Sequence, residues 1–270
     1  MKRNLKFGVE IEFFGIDRNR VADALNRAGI RAFVEGYNHA TRGYWKLTTD
    51  GSVNSQGTGN GHGGNELVSP PLEGEDGLRE LELALKILNE CGGKVDKSCG
   101  IHIHHEIKDL DLTKIQNIYR LYFKFTASID YLMPPSRRST NNPYYCKPIS
   151  LDLLERVENC GSIEALQSMF LNNRYWAVNF DAYNRYKTIE FRQHSGSIDF
   201  EKVGSWVRIT HKIIEKACAG WRVEVAKDNS WRVCDSNWWF RQLVGKELET
   251  YVVNRMNYWK ERERTATTAA

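Results

Sequence analysis

Proline and cysteine are both scarce, six of each in 270 residues. The cysteines (Cys91, Cys99, Cys146, Cys160, Cys218, Cys234) form no CxxC pair and follow no regular spacing. That pattern offers neither a zinc knuckle nor a disulfide framework, and the expected state is reduced thiols. Long apolar runs are missing, so nothing reaches the roughly 20 residues a bilayer span needs, and no membrane partner is expected. The opening Met1-Lys2-Arg3-Asn4-Leu5-Lys6-Phe7 lacks an apolar h-region and a small-residue cleavage site, which predicts an unexported, cytoplasmic protein. Several catalytic signatures are absent as well: no GxxxxGK[ST] phosphate loop, no HExxH helix, no GxSxG elbow and no zinc-deaminase pattern. Gly59 to Gly64 does satisfy GxGxxG. It lies in the Gly-rich run Asn54 to Asn65, however, and leads into a strand, so the helix N-terminus that would hold a pyrophosphate is not there.

What the chain does contain is a globular composition, 41% hydrophobic and 27% charged, with enough length for one large core without staples. A net charge of +4 permits an anionic ligand and requires none. It falls short of a nucleic-acid-coating protein without excluding nucleic acid. Lys6 to Phe14 alternates as a strand, and a helix follows over Arg18 to Ala28 behind a capping Asp17. Arg31 to Gly36, Gly43 to Thr49 and Glu66 to Ser69 read as short strands. Leu72 to Cys91 reads as an amphipathic helix and Gly100 to Glu106 as a strand. Leu112 to Met133 is a long helix stopped by Pro134-Pro135, and Leu151 to Asn159 with Ile163 to Phe170 are shorter ones. Arg174 to Phe180 and Thr188 to Gln193 suggest a hairpin around 181–187, and from Glu201 the period is helical. Strands interrupted irregularly by long helices predict an α+β fold.

Three strands carry one polar and one apolar face. Glu10 and Glu12 share a face of Gly8-Val9-Glu10-Ile11-Glu12-Phe13-Phe14, because strand side chains repeat every second residue. Two such acids, if buried, are forced to protonate unless a cation sits between them, whereas an edge strand with a solvated face would leave them plain surface groups. His102 and His104 share a face of Cys99-Gly100-Ile101-His102-Ile103-His104-His105-Glu106, with His105 on the apolar side. Glu190, Arg192 and His194 alternate with Ile189, Phe191 and Gln193, and an arginine fork beside a carboxylate suits an anionic ligand or a surface salt-bridge ladder. Asp50 in Trp45-Lys46-Leu47-Thr48-Thr49-Asp50-Gly51-Ser52 and Glu66 in Glu66-Leu67-Val68-Ser69-Pro70-Pro71 add acids at strand ends. Arg137-Arg138 follows Pro134-Pro135 in a breaker-rich loop of the kind that often holds ligands. Six of the eight tryptophans lie in the last quarter of the chain; aromatics at helical spacing are more often core than base-stacking groups.

In chain order GVEIE, WKLTTDGS, ELVSPPL, CGIHIHH, PPSRRSTNN, RYWAVNFDAY and TIEFRQHSGSID resemble the amidoligase family of the carboxylate-amine ligases, relatives of glutamine synthetase and glutamate-cysteine ligase. The resemblance covers about Lys6 to Arg208. It implies a catalytic domain over 1–208, with 209–270 a helical, Trp-rich extension on the same domain. The fold it implies is a curved antiparallel sheet, the half-barrel of glutamine synthetase, with helices on its convex face. It further implies ATP and two or more ions of magnesium or manganese. Glu10, His102 and Glu190 would hold the ion at the ATP phosphates, and Glu12, Asp50 and Glu66 the ion nearer the transferred phosphoryl group. Arg192 and Arg138 would neutralise phosphate, and His104 would touch nucleotide or substrate. The implied reaction joins a small-molecule or peptide carboxylate to an amine through an acyl phosphate. Alternatives are a guanidino-kinase-like phosphotransferase of the same fold, a metal-dependent nuclease or phosphohydrolase, and a nucleic-acid-binding module using the aromatic tail. Trp238-Trp239-Phe240 would close the core or form a subunit contact in a homo-oligomer.

Overall fold

The alternating segment at the start of the chain becomes strand β1 (Lys6–Phe13), whose Val9, Ile11 and Phe13 are fully buried. In this computed structural model residues 4–53, 64–223 and 233–268 are described, so most of the Gly-rich run and Trp231 lie outside the described residues. The fold is α+β, with an open, mostly antiparallel arrangement of strands. Two compact units divide the chain: a sheet unit of Asn4–Glu106 and His194–Val207, and a helical unit built from Ile107–Gln193 and from Arg208 onward. Both units draw on residues of the 1–208 segment, and the C-terminal helices belong to the helical unit.

In the sheet unit β1 is followed by α1 (Arg18–Arg27), β2 (Ala32–Val34), β3 (Trp45–Asp50), β4 (Gly64–Val68), the two-residue β5 (Leu72–Glu73), α2 (Gly74–Glu90) and β6 (Gly100–Glu106). The strand order is β2-β3-β4-β1-β6, with β5 paired to the start of β1. Asp17 caps α1 by accepting from Asn19 N at 2.8 Å. Leu72, expected to start a helix, instead pairs with Phe7, and the helix begins at Gly74, which turns the chain at φ +60°. The hydrocarbon face of the strands carries Val9, Ile11, Trp45, Leu47, Leu67, Ile101 and Ile103. α2 is tied to that face by Trp45 Nε1, which donates to Glu80 at 2.7 Å. Burying such side chains contributes about 1.5–3 kcal/mol each.

β2 and β3 run parallel, although only ten residues, 35–44, connect them. Glu35 organises that short connection: it accepts from Arg42 Nε and Nη2 at 2.9 Å, from Asn38 Nδ2 at 2.8 Å and from Tyr44 OH at 2.5 Å.

The helical unit is built around α3 (Leu112–Asp130), capped by Asp111, which accepts from Lys114 N at 2.9 Å. Its Phe125 packs against Trp221 and Phe240, and its Tyr119 and Tyr122 against Phe170 and Phe191. Then come α4 (Leu151–Glu158), α5 (Ile163–Phe170), β7 (Val178–Asn179), α6 (Asp181–Tyr186) and β8 (Thr188–Ser195). The expected turn at 181–187 is thus a short helix, ended by Lys187 at φ +56°. β8 carries the chain into the sheet unit, and α7 (Phe200–Cys218) carries it back, before α8 (Val233–Val244) and α9 (Lys246–Thr268). Phe240 closes the core while Trp238 and Trp239 stay exposed, and Trp206 is core. Among the described residues no helix is long and apolar enough to cross a membrane.

Gly64 sets the start of β4, since an added Cβ would meet Val53 Cβ at 2.2 Å and the Asp50 carbonyl oxygen at 2.6 Å. Gly64→Ala is expected to cost about 2 kcal/mol in urea melts, whereas Gly36→Ala, with nothing within 4 Å, should change stability by less than about 1 kcal/mol. A second expectation concerns Glu35, whose carboxyl is held down at about 2, against an ordinary value of 4.5, chiefly by the hydrogen bonds from Arg42 and Tyr44. A depressed acid stabilises the fold above its unfolded value and loses that contribution as pH falls. Glu35→Gln should therefore lower Tm at pH 7, and the gap from wild type should narrow below pH 4.5 and close near pH 2 in thermal melts.

Candidate active site

The strand register of the sheet unit assembles the polar face. Glu12 lies directly opposite Glu66, Thr48 lies opposite Glu66 on its other side, and Glu10 lies opposite His102. Gly8 lies opposite His104, so the second imidazole stands over a residue with no side chain. Lys46 falls in the same row as Glu10, through Val68. Directly opposed side chains stand about 5 Å apart at Cβ, so Glu12 and Glu66 form a like-charge pair that opposes folding.

The imidazoles offset part of that repulsion. His102 Nδ1 lies 3.0 Å from Glu10 Oε2 and its Nε2 lies 3.5 Å from Glu12 Oε1. His104 Nε2 lies 3.3 Å from Glu10 Oε1. Glu12 also accepts from Gly100 N at 2.7 Å. Burial by itself would raise the Glu10 carboxyl, yet the hydrogen bonds and charges of His102 and His104 outweigh it and bring Glu10 well below its ordinary value. Glu66 goes the opposite way. It is buried, and burial, then the charges of Glu10, Asp50 and Glu12, push its carboxyl well above the usual range.

Ligand atoms of Glu12, Glu66 and His102 lie within 4.8 Å of one another, and all three residues are buried. Thr48 Oγ1, fully buried on the same face, has no hydrogen-bond partner among the described residues. Two carboxylates, one imidazole and an orphaned hydroxyl make an oxygen-rich donor set. It fits magnesium or manganese better than zinc, whose sites favour sulfur and nitrogen. Asp50 stands one register step along, opposite Gly64, and its Oδ1 accepts from Ser52 N and Oγ at 2.6 Å each. It influences Glu66 through charge and is not part of that three-residue group.

In the helical unit the polar face of β8 is equally buried. Glu190 accepts from Asn179 Nδ2 at 2.7 Å and from Arg192 Nη1 at 2.5 Å. Arg192 Nε points to the Tyr145 carbonyl at 3.4 Å. Arg138 donates from Nε to the Met133 carbonyl at 3.0 Å, pairs with Glu263 of α9 and lies 5.9 Å from the Trp259 ring. The loop that carries it is anchored by Asp130, which accepts from Ser139 N at 3.0 Å and from Gln193 Nε2 at 2.7 Å. His105 is buried on the apolar side, as its parity predicts.

Lys46 and Thr48 were not among the candidates drawn from sequence, although the alternation of Trp45 and Leu47 with Lys46 and Thr48 carries the signal. Lys46 is buried with Nζ donating to the Asn38 carbonyl at 2.8 Å, which fastens a cation at the edge of the acid cluster. Asn179 and Asp130 had no comparable signal, since a lone polar residue has no period.

The family described as "putative amidoligase enzyme" matches residues 3–214, and the chain belongs to it. No curated protein matches the chain. Every candidate residue of both units lies within the matched segment.

The strain of burying Glu66 among other acids gives a test. In protein stripped of divalent ions, Glu66→Gln should raise stability by about 1–2 kcal/mol, or roughly 3–6 °C in Tm. Because an acid with a raised value destabilises the fold increasingly as pH rises, the gain should be larger at pH 8 than at pH 5.

Proposed function

We propose that this amidoligase couples ATP cleavage to formation of an amide or isopeptide bond between a carboxylate substrate and an amine. The observation that carries the reading is the buried group Glu12, Glu66 and His102, with ligand atoms within 4.8 Å, on the polar face of an otherwise apolar sheet. In the proposed sequence a substrate carboxylate oxygen attacks the γ-phosphorus and ADP leaves. The amine nitrogen then attacks the acyl carbon, inorganic phosphate leaves and the amine loses a proton. Following the family resemblance, we assign Glu10, His102 and Glu190 to one ion and Glu12, Asp50 and Glu66 to the other. Magnesium or manganese, when bound, would screen the phosphate and carboxylate charges that otherwise repel.

The chain's own residues supply positioning and charge. Arg192, held by Glu190, presents a planar cation suited to a phosphate oxygen, with Arg138 as a second. His104, beside Glu10, is placed to donate a hydrogen bond to nucleotide or substrate. No covalent nucleophile is required, because phosphoryl transfer depends on alignment and electrostatics. The cysteines agree: burial pushes the Cys99 thiol up to about 11 and raises Cys146 as well, so neither is a ready thiolate.

ADP and phosphate should accumulate only when ATP, magnesium, a carboxylate and an amine are all present, read by coupled ADP release and by mass spectrometry of the amide. Glu12→Gln should lower kcat by roughly 10²–10³-fold. ATP turnover with no acceptor from a broad acid panel would contradict the ligase reading, and a stable phosphorylated product without amide would favour the phosphotransferase.

A further inference from the structure

A cluster of tyrosines stands on the helical unit beside Arg192. Tyr144 and Tyr145 sit in a single 3-10 turn, Tyr144–Cys146, entered through Pro143. Lys147, the next residue, bridges to Trp176: its N–H donates to the Tyr175 carbonyl at 2.7 Å, and its carbonyl accepts from Ala177 N at 2.8 Å. That bridge brings Tyr175 against the turn, with ring centroids 5.3 Å from Tyr144 and 5.5 Å from Tyr145, which are themselves 5.0 Å apart. The Ala177 carbonyl in turn accepts from Arg192 N at 2.9 Å, so the cluster is registered on the strand that carries Glu190 and Arg192.

Two of the three rings are open to solvent, and Tyr175 is half-buried beside them. Cys146 is buried, whereas Tyr144 and Tyr145 are 62% and 46% exposed. Single exposed aromatics are ordinary, but three mutually packed rings bordered by cations are not scattered surface. Lys147 Nζ lies 5.3 Å from the Tyr144 ring, and the guanidinium groups of Arg174 and Arg192 lie 5.5 and 6.0 Å from Tyr175. Three cations at the rings disfavour a further cation, so this is no cage for the amine substrate. They favour a ligand with a flat π face and a negative tail, which is the chemistry of a nucleotide.

We propose that Tyr144, Tyr145 and Tyr175 form the stacking platform for the base of a purine nucleoside triphosphate, with Lys147, Arg174 and Arg192 facing its phosphates. The inference rests on the ATP-dependent reading above and adds to it the surface that recognises the base. One pair of exposed rings accommodates one base, which distinguishes the site from the extended groove of a strand-binding protein.

The test uses the full chain with magnesium and, by calorimetry, a non-hydrolysable ATP analogue, inorganic tripolyphosphate and a short poly(A) oligonucleotide. The double variant Tyr144→Ala, Tyr145→Ala should lose roughly tenfold or more in affinity for the analogue while tripolyphosphate binding is unchanged. Tyr144→Phe, Tyr145→Phe should bind the analogue as wild type does, since stacking needs the ring and not the hydroxyl. Wild-type affinity in the alanine variant would overturn the platform and leave the ligase reading intact. Equal wild-type affinity for analogue and tripolyphosphate would do the same. Tighter binding of the oligonucleotide than of the analogue would replace the mononucleotide with a nucleic-acid strand. Failure of wild type to bind either triphosphate would overturn both readings.

Discussion

The sheet unit has to accommodate like charge in a place where water cannot screen it. Glu12 and Glu66 face each other across β1 and β4, on strands whose reverse side is hydrocarbon core, and neither can rotate outward without pulling Ile11 or Leu67 from that core. Polarity at this face is therefore a consequence of strand parity combined with burial. His102 answers part of the problem by standing 3.0 Å from Glu10 and 3.5 Å from Glu12. Glu66, buried among the charges of Glu10, Asp50 and Glu12, carries the remaining cost. A site that is unfavourable when it holds only protein atoms is one that gains on binding a cation, because the Coulomb attraction is largest where the dielectric is lowest.

Supporting contacts around this face do not themselves carry the charge cluster. Glu35 closes the short parallel connection between β2 and β3, and the same loop presents the Asn38 carbonyl that fixes Lys46. Gly64 permits the Asp50 end of β3 to approach β4 closely enough to register Thr48 beside Glu66. The helical unit uses the same logic with different groups. Asp130 gathers Ser139 and Gln193, Tyr122 OH reaches Gln193 at 2.5 Å, and the Arg138 loop is held over that network. Glu190 is satisfied on both oxygens by Asn179 and Arg192, so its burial is compensated where that of Glu66 is not.

Much of this was legible from residue order because parity and period are local. The two-residue repeat of β1, β6 and β8 identified Glu10, Glu12, His102, His104, Glu190 and Arg192 as face-sharing groups, and separated His105 from them. Helical periods located α1, α2 and α3 to within a few residues. The parallel pairing of β2 with β3 was not legible, since local pattern does not encode strand direction. Nor was the helix at Asp181–Tyr186, where a six-residue segment is too short for its period to be distinguished from a turn. Lys46 and Thr48 were visible as alternation but not as site residues, because neither type implies chemistry until a neighbouring strand surrounds it with acids.

By itself, then, the order of residues determined which side chains share a strand face, where the helices run and which family the motifs resemble. The tertiary structure decided which of those faces is buried, that Glu12 meets Glu66 while Asp50 stands a step away beside Ser52, and that three tyrosines from two separate segments meet beside Arg192. The physical reason is range. Side-chain parity is set by backbone geometry over two residues, whereas register, burial and charge coupling arise between segments tens of residues apart and exist only once the chain has closed on itself.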